Sequence, residues 1–205
     1  LGLEKVPRGY PGDSPKRLKN QSLTELASCL LRVFKQEVGS MPASELARSF
    51  RILVVDDSPS DVRLIREALK ETSVSVTLIT AHDGVEATDY LEKTLLGEVP
   101  RPDLIILDLN LPRKSGREVL AEVKTHLRLK QIPVIVMTSS NAGEDVTYAY
   151  NLNANSYITK PADLAEYLTV VRALQVFWFH AVKLPPDDLP ALPILEQGIG
   201  TVLLQ

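Results

Sequence analysis

Leu104-Ile105-Ile106-Leu107-Asp108 is a run of four aliphatic residues that ends on a carboxylate. The same design recurs on either side of it. Ile52-Leu53-Val54-Val55 runs into Asp56-Asp57, and Val134-Ile135-Val136-Met137 runs into Thr138. The shorter Ser156-Tyr157-Ile158-Thr159 delivers Lys160-Pro161. Short apolar runs bounded by turn residues read as strands buried on both faces of a parallel sheet. In an open parallel sheet, ligands bind at the carboxyl ends of the strands. Three acids, a hydroxyl and an amine are therefore expected in one crevice. That is the equipment for a divalent cation and a phosphorylated aspartate.

Outward from these runs, a strand–helix alternation begins at Arg51 and repeats five times. Strands are expected near 51–55, 75–80, 103–107, 133–137 and 155–158. Helical patterns fall near 59–71, 84–96, 115–126, 141–151 and 163–179. Five such units predict an α/β fold, a doubly wound five-stranded parallel sheet with helices on both faces. Gly97–Pro102 reads as a loop, since it carries two prolines and a glycine. Leu184–Pro193 holds four prolines and is expected to be an extended tail. The expected division is an N-terminal extension over 1–50, the βα domain over 51–180, and a proline-rich tail over 181–205.

The extension has two parts. Residues 1–21 carry five Lys/Arg against two acids, with scattered Gly and Pro, and read as a basic tail. Ser22 followed by Glu25 is a capping box. Leu23, Leu26, Leu30, Leu31, Phe34 and Val38 then share one face of a helix near 22–38. Gly39-Ser40-Met41 also reads as a cloning junction before an original start at Met41, and both readings of residues 1–40 stay open. The whole chain of 205 residues is 44% hydrophobic and 24% charged, with formal net charge −3. That balance suits a globular core and calls for no nucleic acid. No apolar run is long enough to cross a bilayer. The single cysteine, Cys29, permits no internal disulfide, which fits a reducing, cytoplasmic setting.

Chemistry narrows the site to five residues. A carboxylate such as Asp108 can attack phosphorus and form an acyl phosphate. Repulsion between two anions opposes this, and Mg²⁺ relieves it, since it favours oxygen ligands from one or two carboxylates plus phosphate and water. Asp56 and Asp57 supply carboxylates. Lys160 offers a point charge to one phosphoryl oxygen and Thr138 a hydroxyl to another. Each residue also has an ordinary reading. Asp56-Asp57-Ser58-Pro59 and Thr138-Ser139-Ser140-Asn141 could cap helices, and a lysine before proline is commonly solvated. The ordinary readings weaken jointly, because four strand ends carry a complementary set.

Val-Val-Asp56-Asp57-Ser-Pro, Leu-Asp108-Leu-Asn-Leu-Pro112, Met-Thr138-Ser-Ser and Tyr157-Ile-Thr-Lys160-Pro161 resemble the response-regulator receiver domain of two-component signalling. The resemblance spans about residues 51–180 and implies the flavodoxin-like (βα)5 fold with strand order 2-1-3-4-5. It implies Asp108 as the phosphorylated residue, with Lys160 and Thr138 binding the phosphoryl group. Asp57 and Asp108 would ligate Mg²⁺, Asp56 mostly through water, and Asn110 by its backbone carbonyl. Tyr157 would turn inward as Thr138 moves, and Pro161 would follow a cis peptide bond. The module is a phosphoacceptor rather than an enzyme, and its donor is a phosphohistidine on a histidine kinase.

Finer features resemble a single-domain subgroup that serves bacterial and cyanobacterial phytochrome kinases. These are Asn110-Leu-Pro-Arg-Lys-Ser-Gly-Arg-Glu-Val-Leu120, the Gly97–Pro102 loop, and Phe177-Trp178-Phe179 with Lys183-Leu-Pro-Pro186 beyond. A DNA-binding output domain would need roughly 60–100 further residues, and none is expected after His180. Three consecutive aromatics cannot share one helix face, so at least one needs a partner outside the domain core: either the C-terminal tail or, as the subgroup implies, a second copy in a homodimer through residues 155–179. Two other readings compete. A haloacid-dehalogenase-type phosphatase needs an acid two residues after the nucleophile, where Asn110 stands. A phosphate-free interaction module would normally show a broken acid set.

Overall fold

The computed structural model describes residues 49–186, apart from positions 71 and 73. The expected helix near 22–38, the basic residues 1–21 and the tail beyond Pro186 lie outside the described residues. Five parallel strands form one sheet in the order β2-β1-β3-β4-β5. They are β1 (Phe50–Val55), β2 (Val76–Ala81), β3 (Leu104–Leu107), β4 (Val134–Thr138) and β5 (Ser156–Thr159). The helices are α1 (Pro59–Leu69), α2 (Gly84–Leu96), α3 (Gly116–Thr125), α4 (Gly143–Asn151) and α5 (Leu164–Val176).

Alternation along the strands splits the interior into two cores. Ile52, Val54, Leu104 and Ile106 pack on α1 and α5 through Val62, Ile65, Tyr167 and Val171. Their neighbours Leu53, Val55, Ile105 and Leu107 pack on the opposite face, against Leu91, Val119 and Val123. Side chains of successive strand residues point to opposite faces, so a strand covered on both sides must be apolar throughout.

Register sets the site. Val55 pairs with Leu107 across β1 and β3, and the Asp108 amide donates to the Val55 carbonyl at 2.9 Å. Asp56 and Asp108 therefore leave the sheet side by side. Thr138 pairs with Thr159, and the Lys160 amide donates to the Thr138 carbonyl at 2.8 Å.

Local chemistry starts and stops the helices. Ser58 caps α1 with Pro59 in its first turn, Asp83 caps α2, and Asp163 caps α5. Ser115 and Glu118 close a reciprocal capping box on α3. Gly97 ends α2 at φ +76°, where a side chain would be strained. Two expectations needed adjustment. The helix expected from 141 starts at Gly143 with Ala142 at its N-cap, and alanine has no side-chain oxygen to cap it. The helix expected to reach 179 stays α only to Val176. Phe177–Ala181 then form a π turn, with the Val182 amide donating to the Phe177 carbonyl.

That wider turn separates the aromatics. Trp178 is buried in the α1/α5 core. Phe179 meets Phe50 with ring centroids 4.5 Å apart. Phe177 stays 52% exposed, edge-on to Trp178.

Candidate functional site

Carboxylate oxygens of Asp56, Asp57 and Asp108 lie within 4.8 Å of one another beyond the ends of β1 and β3. Asp56 and Asp108 are buried and Asp57 is exposed. Each buried acid is held at both oxygens. Asp56 Oδ1 accepts from the Ser58 amide at 3.0 Å, and Asp108 Oδ1 from the Asn110 amide at 2.9 Å. The other oxygen of each accepts from Lys160 Nζ, at 2.8 and 2.7 Å. A third carboxylate, Asp61 in the first turn of α1, accepts from the same ammonium at 2.7 Å. An ammonium has three N–H donors, and all three are used.

Electrostatics follow from this packing. Burial pushes the Lys160 ammonium down, but its bonds to Asp108, Asp56 and Asp61 outweigh that and hold it above its ordinary value. Burial raises the Asp56 carboxyl, with the Lys160 bond opposing. Three acids accept from one lysine here, and a fourth, Asp57, completes the cluster. The donor set is all oxygen and the charge imbalance is negative, which suits a hard divalent cation.

Thr138 is fully buried at the end of β4. Its Oγ1 accepts from Asn110 Nδ2 and from the Ser140 amide, each at 3.4 Å. The Tyr157 hydroxyl donates to the Ser140 carbonyl at 2.9 Å. Burial raises the Tyr157 phenol, with that hydrogen bond opposing. Ser140 Oγ in turn donates to buried Asp145 at 2.5 Å, and Arg117 pairs with the same carboxylate. The loop after β4 thus links the threonine, the tyrosine and the start of α3.

Two glycines hold the β3–α3 connection close. A Cβ on Gly116 would sit 1.9 Å from the Asp108 carbonyl oxygen, and one on Gly84 would sit 2.2 Å from that of Lys114.

Every residue read from the strand ends converges here: Asp56, Asp57, Asp108, Thr138 and Lys160. The ordinary readings divide. Ser58 does cap α1, but the Thr138–Asn141 segment supplies no side-chain cap to α4. Lys160 is only 11% exposed at its side chain, not solvated. One expectation is corrected. Among the described residues no peptide bond is cis, so Lys160–Pro161 is trans, the form that an X–Pro bond favours by about 0.5–1 kcal/mol. Asp61 was missed. Its only signal is an acid three residues after Ser58, and that spacing reads as helix capping.

An open parallel sheet with a carboxylate cluster at its central strand ends, beside a largely covered lysine and a buried threonine, is equipped for chemistry on a phosphoryl group. Residues 52–172 match the response regulator receiver domain, and the chain belongs to that family as a receiver of two-component signalling. The chain is 45% identical over 137 residues to response regulator Rcp1 of Synechocystis sp., covering 65% of this chain and 92% of that protein. The crystal structure of the Mn²⁺-bound form of Rcp1 matches with TM-score 0.64 at 43% identity, over 67% of this chain and 99% of that one. The phosphorylated cyanobacterial phytochrome response regulator RcpA matches with TM-score 0.65 at 43% identity, over 68% of this chain and all of that one. Among the described residues no helix is long and apolar enough to cross a membrane.

Proposed function

We propose that Asp108 accepts a phosphoryl group from the phosphohistidine of a histidine kinase, with Mg²⁺ held by Asp56, Asp57, Asp108 and the Asn110 backbone carbonyl. The carrying observation is Lys160 Nζ at 2.7 Å from Asp108 inside the carboxylate cluster. A carboxylate oxygen of Asp108 bonds to phosphorus as the P–N bond to the kinase imidazole breaks, and that bond's electron pair leaves with the nitrogen. Bound Mg²⁺ supplies charge neutralisation for the incoming phosphoryl oxygens. Lys160 binds one of these oxygens and Thr138 another. Positioning and charge account for nearly all of such catalysis. Hydrolase chemistry is disfavoured, since Asn110 bears no acid and its amide is turned toward Thr138 and Ser139.

The switch runs from Thr138 to Tyr157. Drawing Thr138 toward the phosphoryl group strains the Ser140 backbone that Tyr157 holds, so the phenol turns inward. Likeness to a regulator whose structure is described as that of a phytochrome response regulator supports a phytochrome kinase as donor. Residues 51–180 act as the receiver, with 1–50 and 181–205 outside it. Two copies pair through β5 and α5, where exposed Phe177 borders an apolar groove. Phosphotransfer profiling against a panel of kinases tests the donor. Fast transfer from phytochrome kinases is expected, and transfer only from unrelated kinases contradicts it.

A further inference from the structure

The ammonium of Lys160 is shared by Asp56, Asp108 and Asp61, but only the first two belong to the carboxylate cluster that can surround a cation. Once a cation and a phosphoryl group occupy that cluster, Asp108 carries the phosphoryl group and Asp56 also faces the cation. Asp61 is the one carboxylate of the three that has no part in that cluster. We infer that Asp61 is the positioning residue for Lys160, anchoring its ammonium where the phosphoryl group arrives.

The helix start is built to leave Asp61 available. In α3, Ser115 and Glu118 close their capping box in both directions, with Glu118 Oε2 accepting from the Ser115 amide at 2.9 Å. In α1 the equivalent box is half open. Ser58 Oγ accepts from the Asp61 amide at 3.3 Å, but the Ser58 amide is taken by Asp56 Oδ1 at 3.0 Å. The Asp61 carboxylate is thereby released from capping and reaches Lys160 instead. It comes from a rigid helix, whereas Lys160 stands in the connection between β5 and α5. A flexible four-carbon side chain gains most from such an anchor.

This inference rests on the phosphoacceptor reading, and its test separates the two. The first readout needs no phosphotransfer: the ¹⁵N-resolved side-chain ammonium signal of Lys160 in full-length protein saturated with Mg²⁺. A held, slowly exchanging ammonium is expected in wild type and in Asp61→Glu, and its loss in Asp61→Asn. An unchanged Lys160 signal in Asp61→Asn overturns the inference, whatever the acceptor proves to be. The second readout is the initial rate of phosphorylation by acetyl phosphate, where Asp61→Asn is expected to slow the reaction about tenfold through misplacement of the ammonium. Adding Asp61→Asn to Lys160→Ala should cost nothing more, since residues acting through one group are non-additive. An equal further loss in that double variant would show that Asp61 acts independently of Lys160 and would overturn the inference.

Discussion

Lys160 neutralises two buried acids at once, and its removal strands both. Asp56 and Asp108 have side chains only 4% and 5% exposed. Breaking a buried ion pair by deleting one partner costs about 3–5 kcal/mol, and we expect Lys160→Ala to fall near the lower end, since Asp61 and Asp57 remain partly solvated. Saturating Mg²⁺ should restore much of that loss by supplying the missing charge. Urea denaturation with and without Mg²⁺ checks this. An equal deficit in both buffers would mean that the lysine stabilises the fold by packing rather than by charge.

Lys124 presents the opposite case, a half-buried ammonium whose acceptors are carbonyl oxygens: Ile132 at 2.9 Å and Asn155 Oδ1 at 3.1 Å. Burial lowers its pKa from 10.5 to about 8. Between those values the unfolded chain holds a proton that the folded chain gives up, so this group's contribution to stability rises with pH from about 8 upward. Tyr90, Tyr157 and Tyr167 are raised above 10 by burial and act the other way from about pH 10. The clean window is therefore pH 8 to 10. Wild-type stability should climb across it relative to Lys124→Gln, and parallel curves would contradict the burial argument.

At the scale of elements, the end of β3 and the start of α3 are pressed together at Gly116. Gly116→Ala drives a Cβ into the Asp108 carbonyl, and overpacking of this kind costs about 1–3 kcal/mol. It should also slow phosphorylation by shifting the residue that is modified. Gly143 is the internal control, since nothing lies within 4 Å of an added Cβ there. Gly143→Ala at the start of α4 should stabilise by roughly 0.4–1 kcal/mol, through lower entropy of the unfolded chain. Melting curves of the two variants decide the matter, and similar behaviour would show that the close approach is not the cause.

The elements were largely legible because their signals are local. Four-residue aliphatic runs and turn-bounded spacing place β1, β3 and β4, and the acids at their ends follow from register. Less was legible where the cause is tertiary. Asp61 carries a capping signal and is diverted only because Asp56 takes the Ser58 amide. The bond from Tyr157 ends on a backbone carbonyl, which has no sequence signature. The π turn at Phe177–Ala181 accompanies burial of Trp178 and packing of Phe179 against the core, tertiary contacts that a single-helix wheel does not contain.

At the scale of the whole molecule, the surface proposed for pairing lies at one edge of the sheet. β5 is one of the two edge strands, and a groove of about 340 Å³ beside it is lined by Ser156, Ile158, Val170, Leu174, Phe177 and Trp178. Burying a large apolar side chain contributes about 1.5–3 kcal/mol. Phe177→Ser should therefore shift the protein toward monomer without unfolding it, whereas Phe179 packs on Phe50 and its loss would damage the core. Light scattering on this variant, and on a protein starting at Met41, separates two interfaces. If the truncated protein is monomeric while the full chain is dimeric, the stretch near residues 22–38 holds the dimer and the β5/α5 assignment fails.

Phosphorylation at Asp108 is the event that the proposed site serves. Its most direct measurement is intact mass after incubation with acetyl phosphate and Mg²⁺, for wild type and Asp108→Asn. Wild type should gain the mass of one phosphoryl group and lose it when Mg²⁺ is omitted from the reaction, and Asp108→Asn should gain none. Full phosphorylation of Asp108→Asn would place the phosphoryl group elsewhere and contradict the account.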